Sequence, residues 1–141
     1  MNIEHIPAEI KSSGHLVLWK EISTKDGKQR KTPIASCGRA VGYDDPEALI
    51  SFSDAKNRLE KGMDIGIGIT LLDGLIMQRG ESEGYLNCLD FDGFADPSGV
   101  KVDPGVMRFL REFPSYTEIS PSQTGFKYFF LTDRPPSTKS K

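Results

Sequence analysis

The chain has 141 residues, 37% hydrophobic and 27% charged, an ordinary composition for a soluble globular protein and enough for a real hydrophobic core. Its net charge of −2 excludes strong nucleic-acid binding over the whole surface, and no apolar run approaches the roughly 18 to 20 residues that cross a bilayer. A single cytoplasmic domain with no membrane partner is the expectation, because MNIEHIPAEIKSSGH lacks the basic-then-apolar pattern of a signal peptide.

Taken in chain order, HLVLWKEI (15–22) alternates weakly and is rich in apolar and aromatic groups, which predicts a strand. The segment KDGKQRK (25–31) follows, a local concentration of Lys25, Lys28, Arg30 and Lys31 that reads either as a solvated loop or as a loop contacting phosphates. TPIA (32–35) is a second, short extended piece. DDPEALISFSDAKNRLEKG predicts helix, with Asp45 as N-cap and Pro46 at the first helical position, then Ser53 capping a second helix ended by Gly62. DIGIGITLL (64–72) is a strand pattern loaded with glycine, which permits close backbone approach by a neighbour or a ligand.

DGLIMQRGESEGYLNCLDFD predicts a hairpin turning at residues 79–84. VDPGVMRFLREF repeats the Asp-Pro helix start, with Val106, Phe109, Leu110 and Phe113 on one face. SYTEIS and FKYFFL are two strands flanking the turn PSQTG, and residues 135–141 read as a flexible, basic tail. Strands and helices mix without regular alternation, so the fold class expected is α+β around a mostly antiparallel sheet with flanking helices. Cys37 and Cys88 stand in no ligand spacing and read as two reduced, partly buried thiols; His5 and His15 lack a neighbouring ligand set for zinc.

The hairpin carries Asp90 and Asp92 to the end of its second strand. Residues two apart in a strand point to the same face, so the two carboxylates converge, while Leu89 and Phe91 face the other way. Two carboxylates this close repel, and a hard divalent cation relieves that repulsion through oxygen ligands. A bland reading stays open, in which Asp92-Gly93 makes a turn and both acids sit in solvent. An EF-hand loop is excluded, because Phe94 and Ala95 fill its fifth and sixth positions and Lys101 its twelfth. LDFDGF also resembles the apolar strand and DxDG of haloacid-dehalogenase-like phosphatases, where the first Asp is a phosphorylated nucleophile. Those enzymes need a doubly wound domain and a second acidic motif, and no GDxxxD-like pair follows here.

A wider resemblance rests on the order WKEI, KTPI, DIGIGITL, LDFD and YTEISPSQTGFK, from about Ile6 to Phe130. This series resembles the N-terminal domain of bifunctional primase-polymerases of the archaeo-eukaryotic primase superfamily, many of them encoded by phages, plasmids and integrated elements. The resemblance implies a primase-polymerase-like fold, nucleotidyl transfer in DNA replication, and Mg2+ or Mn2+ held by Asp90 and Asp92. It implies that Ser120, Ser122, Thr124, Gly125 and Lys127 bind the triphosphate, with Lys127 standing where the family has a histidine. A lysine keeps a point charge for phosphate but not the imidazole's directed hydrogen bond or its proton transfer near neutral pH.

Lys31 and Pro33 match a KxP segment, so Lys28, Arg30 and Lys31 are expected to contact template or nucleotide phosphate. Trp19 reads as core packing or as a base-stacking platform. Two further departures matter. Gln123 replaces a glycine common in the turn, and no aspartate beyond Asp133 supplies the family's third acid. The chain is therefore expected to be the N-terminal part of a longer primase-polymerase, its partners being nucleoside triphosphates, single-stranded DNA and a helicase. The alternative is a nucleotide- or single-strand-binding module without full chemistry.

Overall fold

A computed structural model of the chain describes residues 3–71, 74–96, 98 and 101–136. The basic tail anticipated in the sequence therefore lies, from residue 137 onward, outside the described residues. The fold is mixed α+β, built on two four-stranded sheets whose strand pairings are all antiparallel, as the composition of strands and helices anticipated. Two compact units divide the chain, Met1–Leu75 and Ile76–Lys141. No helix among the described residues is long and apolar enough to cross a membrane.

The first unit is organised on strand β1 (Leu16–Ser23). Strand β2 (Gln29–Ile34) pairs with it from Leu18↔Ile34 to Ser23↔Gln29, and β3 (Leu49–Ile50) pairs with Val17 and Leu16. Strand β4 (Gly66–Ile69) runs against Leu16–Trp19. Leu16, Val17 and Leu18 are all buried, so both faces of the sheet are covered at this end, which explains the weak alternation of the HLVLW run. Leu16, Leu18 and Pro33 are the most deeply buried large side chains, with Ile34, Ile50, Ala55 and Ile67 also buried.

Several boundaries differ from the sequence expectation. A 3-10 turn at Ile3–His5 and a one-turn helix α1 (Ala8–Lys11) precede β1, and Ile10 anchors that helix in the core. The basic stretch is not wholly a loop, because Gln29, Arg30 and Lys31 lie in β2. Asp45 does cap, accepting from Glu47 N–H at 2.9 Å, but it opens only a 3-10 turn (Pro46–Ala48). Helix α2 (Phe52–Glu60) is capped by Ser51 rather than Ser53: Ser51 Oγ accepts from Asp54 N–H at 3.1 Å. Cys37 is exposed, not partly buried, and Cys88 is half-buried.

The second unit orders its strands β5-β6-β8-β7, with β5 (Ile76–Arg79), β6 (Ser82–Phe91), β7 (Thr117–Ile119) and β8 (Phe126–Thr132). The β5–β6 hairpin is tighter than expected, since Arg79 pairs with Ser82 and only Gly80 and Glu81 form the loop. Helix α3 (Pro104–Glu112) starts at Asp103, whose Oδ1 accepts from Gly105 N–H at 2.8 Å and Val106 N–H at 3.1 Å. Its Phe109 ring lies 5.7 Å from Phe91 and 5.0 Å from Tyr128, covering one face of the sheet. Phe113, assigned to that apolar face, instead terminates the helix and is largely exposed. The opposite sheet face carries Leu86 and Phe129, both buried, and then turns polar toward one end.

Candidate functional site

That polar end is where the two sequence motifs meet. Strand β6 stops at Phe91, so Asp90 is its penultimate residue and Asp92 lies one step beyond it in a turn. Strict alternation therefore fixes only Asp90. The β6–β8 ladder sets Asp90 opposite Lys127 and Phe91 opposite Phe126, which brings the acids to the exit of the PSQTG turn. Lys127 Nζ donates to Asp90 Oδ2 at 2.5 Å, and both side chains remain roughly half-exposed. On the other flank of β8, Glu118 stands opposite Lys127. Directly opposed residues in antiparallel strands share a face, so Asp90, Lys127 and Glu118 form one row across three strands. Tyr116 Oη donates to Glu118 Oε1 at 2.7 Å, and its ring lies 5.7 Å from that of Phe129.

The turn holds itself together through Ser120, the one polar residue among those described that is buried. Gln123 N–H donates to the Ser120 carbonyl at 2.8 Å, Ser120 N–H to the Gly125 carbonyl at 2.8 Å, and Gly125 N–H to Ser120 Oγ at 3.1 Å. The hydroxyls continue as a chain, Ser120 to Ser122 at 2.8 Å and Ser122 to Thr124 at 2.9 Å. The amides of Ser122 and Thr124 make no hydrogen bond among the described residues, so two donors remain in the turn. Gln123 has φ +60°, the left-handed conformation that a glycine adopts without strain.

Gly125 joins this turn to the acids. A Cβ placed on it would fall 2.4 Å from the Phe91 carbonyl oxygen and 3.3 Å from both Cα and Oδ1 of Asp92. Asp92 therefore lies directly over the glycine, and its carboxylate is held beside the turn rather than by the strand. Ala95 N–H donating to the Thr124 carbonyl at 3.0 Å closes the same junction. An open depression of about 550 Å³ beside this turn is lined by residues 93–96 and 101–103, none of them a site residue expected from the sequence.

Charge on the polar face is felt by its neighbours. The Cys88 thiol is pushed up to about 11, first by burial, with Asp90 and Glu118 adding to the rise and Lys127 opposing it. Tyr116 is raised well above the ordinary phenol value, first by burial and then by its hydrogen bond to Glu118. The donor set of Asp90 and Asp92 is two carboxylates, which suits Mg2+ or Mn2+, and Asp90 already draws a side-chain ammonium to itself. Among the described residues no group of three or more His, Cys, Asp or Glu side chains is gathered for a metal. Asp133 follows the far end of β8, six residues and about 20 Å of strand from Lys127, and so sits away from the acids.

The basic residues belong to the first unit. Lys28 sits in the β1–β2 turn with Nζ 3.8 Å from Asp26 Oδ2, while Arg30 and Lys31 pair with Ile22 and Glu21. Being adjacent in a strand, Arg30 and Lys31 project to opposite faces of the ribbon. Lys31 Nζ lies 5.1 Å from the Trp19 ring centroid. The indole packs against the opposing glycine of β4, where a Cβ on Gly66 would fall 2.1 Å from two of its carbon atoms. The glycine-rich strand thus accommodates a neighbour, and Trp19 is a packing residue of that sheet.

What sequence reasoning missed is Glu118, which lies in TEIS just ahead of the recognised turn. The signal was positional: the chain reverses between TEIS and FKYFF, which sets an acid across from the lysine. No protein-family model matches the chain, and no curated protein matches it.

Proposed function

We propose that this chain carries the acid and phosphate-binding elements of a metal-dependent primase-polymerase acting in cytoplasmic DNA replication. The observation that supports this best is the joining of the two motifs. Asp90 is paired with Lys127, and Asp92 rests on Gly125, so the acids and the hydroxyl turn occupy one strand end. Asp90 and Asp92 would hold Mg2+ or Mn2+, which when bound supplies Lewis-acid stabilisation of charge on the transferring phosphoryl group.

The chain's own residues account for the rest. The Ser122 and Thr124 amides and hydroxyls present donors to a triphosphate, and Lys127 adds a point charge. The bare Gly125 lets the Phe91 carbonyl and Asp92 pack against the turn, which holds the acid beside those donors. The reaction is attack of a nucleic-acid 3′-oxygen on the α-phosphate of a nucleotide, with pyrophosphate leaving. Lys28 with one of Arg30 and Lys31, which face opposite ways, would serve template phosphates by charge alone, and a helicase is the partner class such a domain would serve.

A second reading is a binding module that holds nucleotide or single-stranded DNA without turnover. The Lys127–Asp90 pair favours it, since that carboxylate is already satisfied by a cation from the chain itself. The phosphatase reading is not carried forward, because it calls for a doubly wound parallel sheet and the Asp90 strand is antiparallel to both neighbours.

Calorimetric titration with a deoxynucleoside triphosphate, with and without Mn2+, tests the site. Binding that requires Mn2+ and is lost in Asp90→Ala/Asp92→Ala is the expected result. Equal affinity in the double variant, with its fold intact, would overturn it. Primer extension by the same protein separates the two readings: extension marks the polymerase, and metal-dependent binding without extension marks the module.

A further inference from the structure

Resting on that reading of the acid pair, we propose that Lys127 is a latch on Asp90, with Glu118 as its second seat. The latch makes the acid pair available to a divalent cation mainly when a triphosphate is present. The ladder sets Lys127 directly opposite Asp90 on one flank and directly opposite Glu118 on the other, all on one face. The Lys127 ammonium is on Asp90 Oδ2 at 2.5 Å. A divalent cation drawn to the acid pair is repelled by an ammonium already seated on that carboxylate.

A cation that binds alone is opposed by the lysine until the ammonium moves, and Glu118 is the acid across the strand that can receive it. Tyr116 fixes one oxygen of Glu118 at 2.7 Å, which keeps that carboxylate on the same face as the lysine. When a triphosphate occupies the turn, its oxygens take the ammonium instead, and Asp90 is released without help from Glu118. Cation and nucleotide therefore bind with positive coupling, and by reciprocity each tightens the other. Glu118 acts through Lys127 and is a positioning residue, not a ligand.

The test is Mn2+ binding by the full chain, read by electron paramagnetic resonance with and without a deoxynucleoside triphosphate. Four proteins are compared: wild type, Lys127→Met, Glu118→Gln and Asp90→Ala/Asp92→Ala. Wild type should bind Mn2+ weakly alone and about five- to tenfold more tightly with nucleotide, within the usual range of coupling between sites. Lys127→Met should bind Mn2+ alone about as tightly as wild type does with nucleotide, and the dependence on nucleotide should vanish. Glu118→Gln should weaken Mn2+ binding only in the absence of nucleotide. A Glu118 whose role was structural would lower the melting temperature and leave this difference unchanged.

Equal Mn2+ affinity in wild type and Lys127→Met, with binding still lost in the double aspartate variant, would overturn the latch and leave the metal site standing. No Mn2+ binding in any protein, each folded by circular dichroism, would overturn both the latch and the site.

Discussion

Gly125→Ala is the substitution that probes the junction of acids and turn most sharply. The new methyl would sit 2.4 Å from the Phe91 carbonyl oxygen, a contact that must open by about 1 Å. The obstacle is backbone, held in the ladder by the Phe91↔Phe126 pair, so no side-chain rotation can relieve it. Overpacking of this kind costs about 2–3 kcal/mol, the upper part of the usual range, because the neighbour cannot yield. For a chain of 141 residues that corresponds to a fall in Tm of about 6–12 °C. The assay is urea and thermal unfolding followed by far-UV circular dichroism. Ser122→Ala, at an exposed position of the same turn, is the control and should stay within about 0.5 kcal/mol. A Gly125→Ala protein as stable as wild type would refute the close packing of Asp92 on the turn.

The remaining expectations concern the turn, the buried thiol and the hairpin. Gln123→Gly, at φ +60°, should stabilise the protein by about 0.5–1 kcal/mol in the same unfolding assay, and a loss of stability would show that the left-handed conformation carries no strain. Cys88 has its thiol raised from 9.0 to about 11, so at pH 8 its reaction with a disulfide reagent should be about 100-fold slower than in the urea-unfolded chain. The same shift has a definite sign in stability: the folded chain keeps a proton the unfolded one gives up, so stability present below pH 9 is lost as pH rises from about 9 to 11. Cys88→Ala should flatten that part of the profile, and an unchanged slope would contradict the burial argument. Replacing Lys28, Arg30 and Lys31 by alanine should weaken single-strand binding and reduce the slope of log K against log salt. Because Arg30 and Lys31 face opposite ways, one strand meets two of the three charges, so the reduction should be about 1.4 rather than about 2.1.

The elements legible in the sequence were those set by local chemistry. Asp103-Pro104 fixes the start of α3, alternation in YLNCLDF gives β6, and the Gly80 turn gives the hairpin. Where two caps compete within three residues, local pattern could not choose, and Ser51 rather than Ser53 starts α2 because β3 ends immediately before it. The basic run read as a loop from its composition, yet its second half is drawn into β2 by pairing with Glu21 and Ile22, a contact that composition does not express. The site shows the same division. Both motifs were legible, as were the acids, the hydroxyls and the lysine. Their register was not: that Lys127 lands on Asp90 and that Gly125 abuts Asp92 follow from strand pairing across more than 30 residues of chain, and Glu118 joins them through the shorter β7–β8 reversal.

The most direct measurement of the central claim, that acids and turn form one site, is paramagnetic broadening of backbone amide resonances by Mn2+ with a deoxynucleoside triphosphate present. The account expects the amides of residues 90–93 and 122–127 to broaden together at low Mn2+, with both groups recovering in Asp90→Ala/Asp92→Ala. Broadening confined to the aspartate segment, or centred elsewhere in the chain, would contradict it.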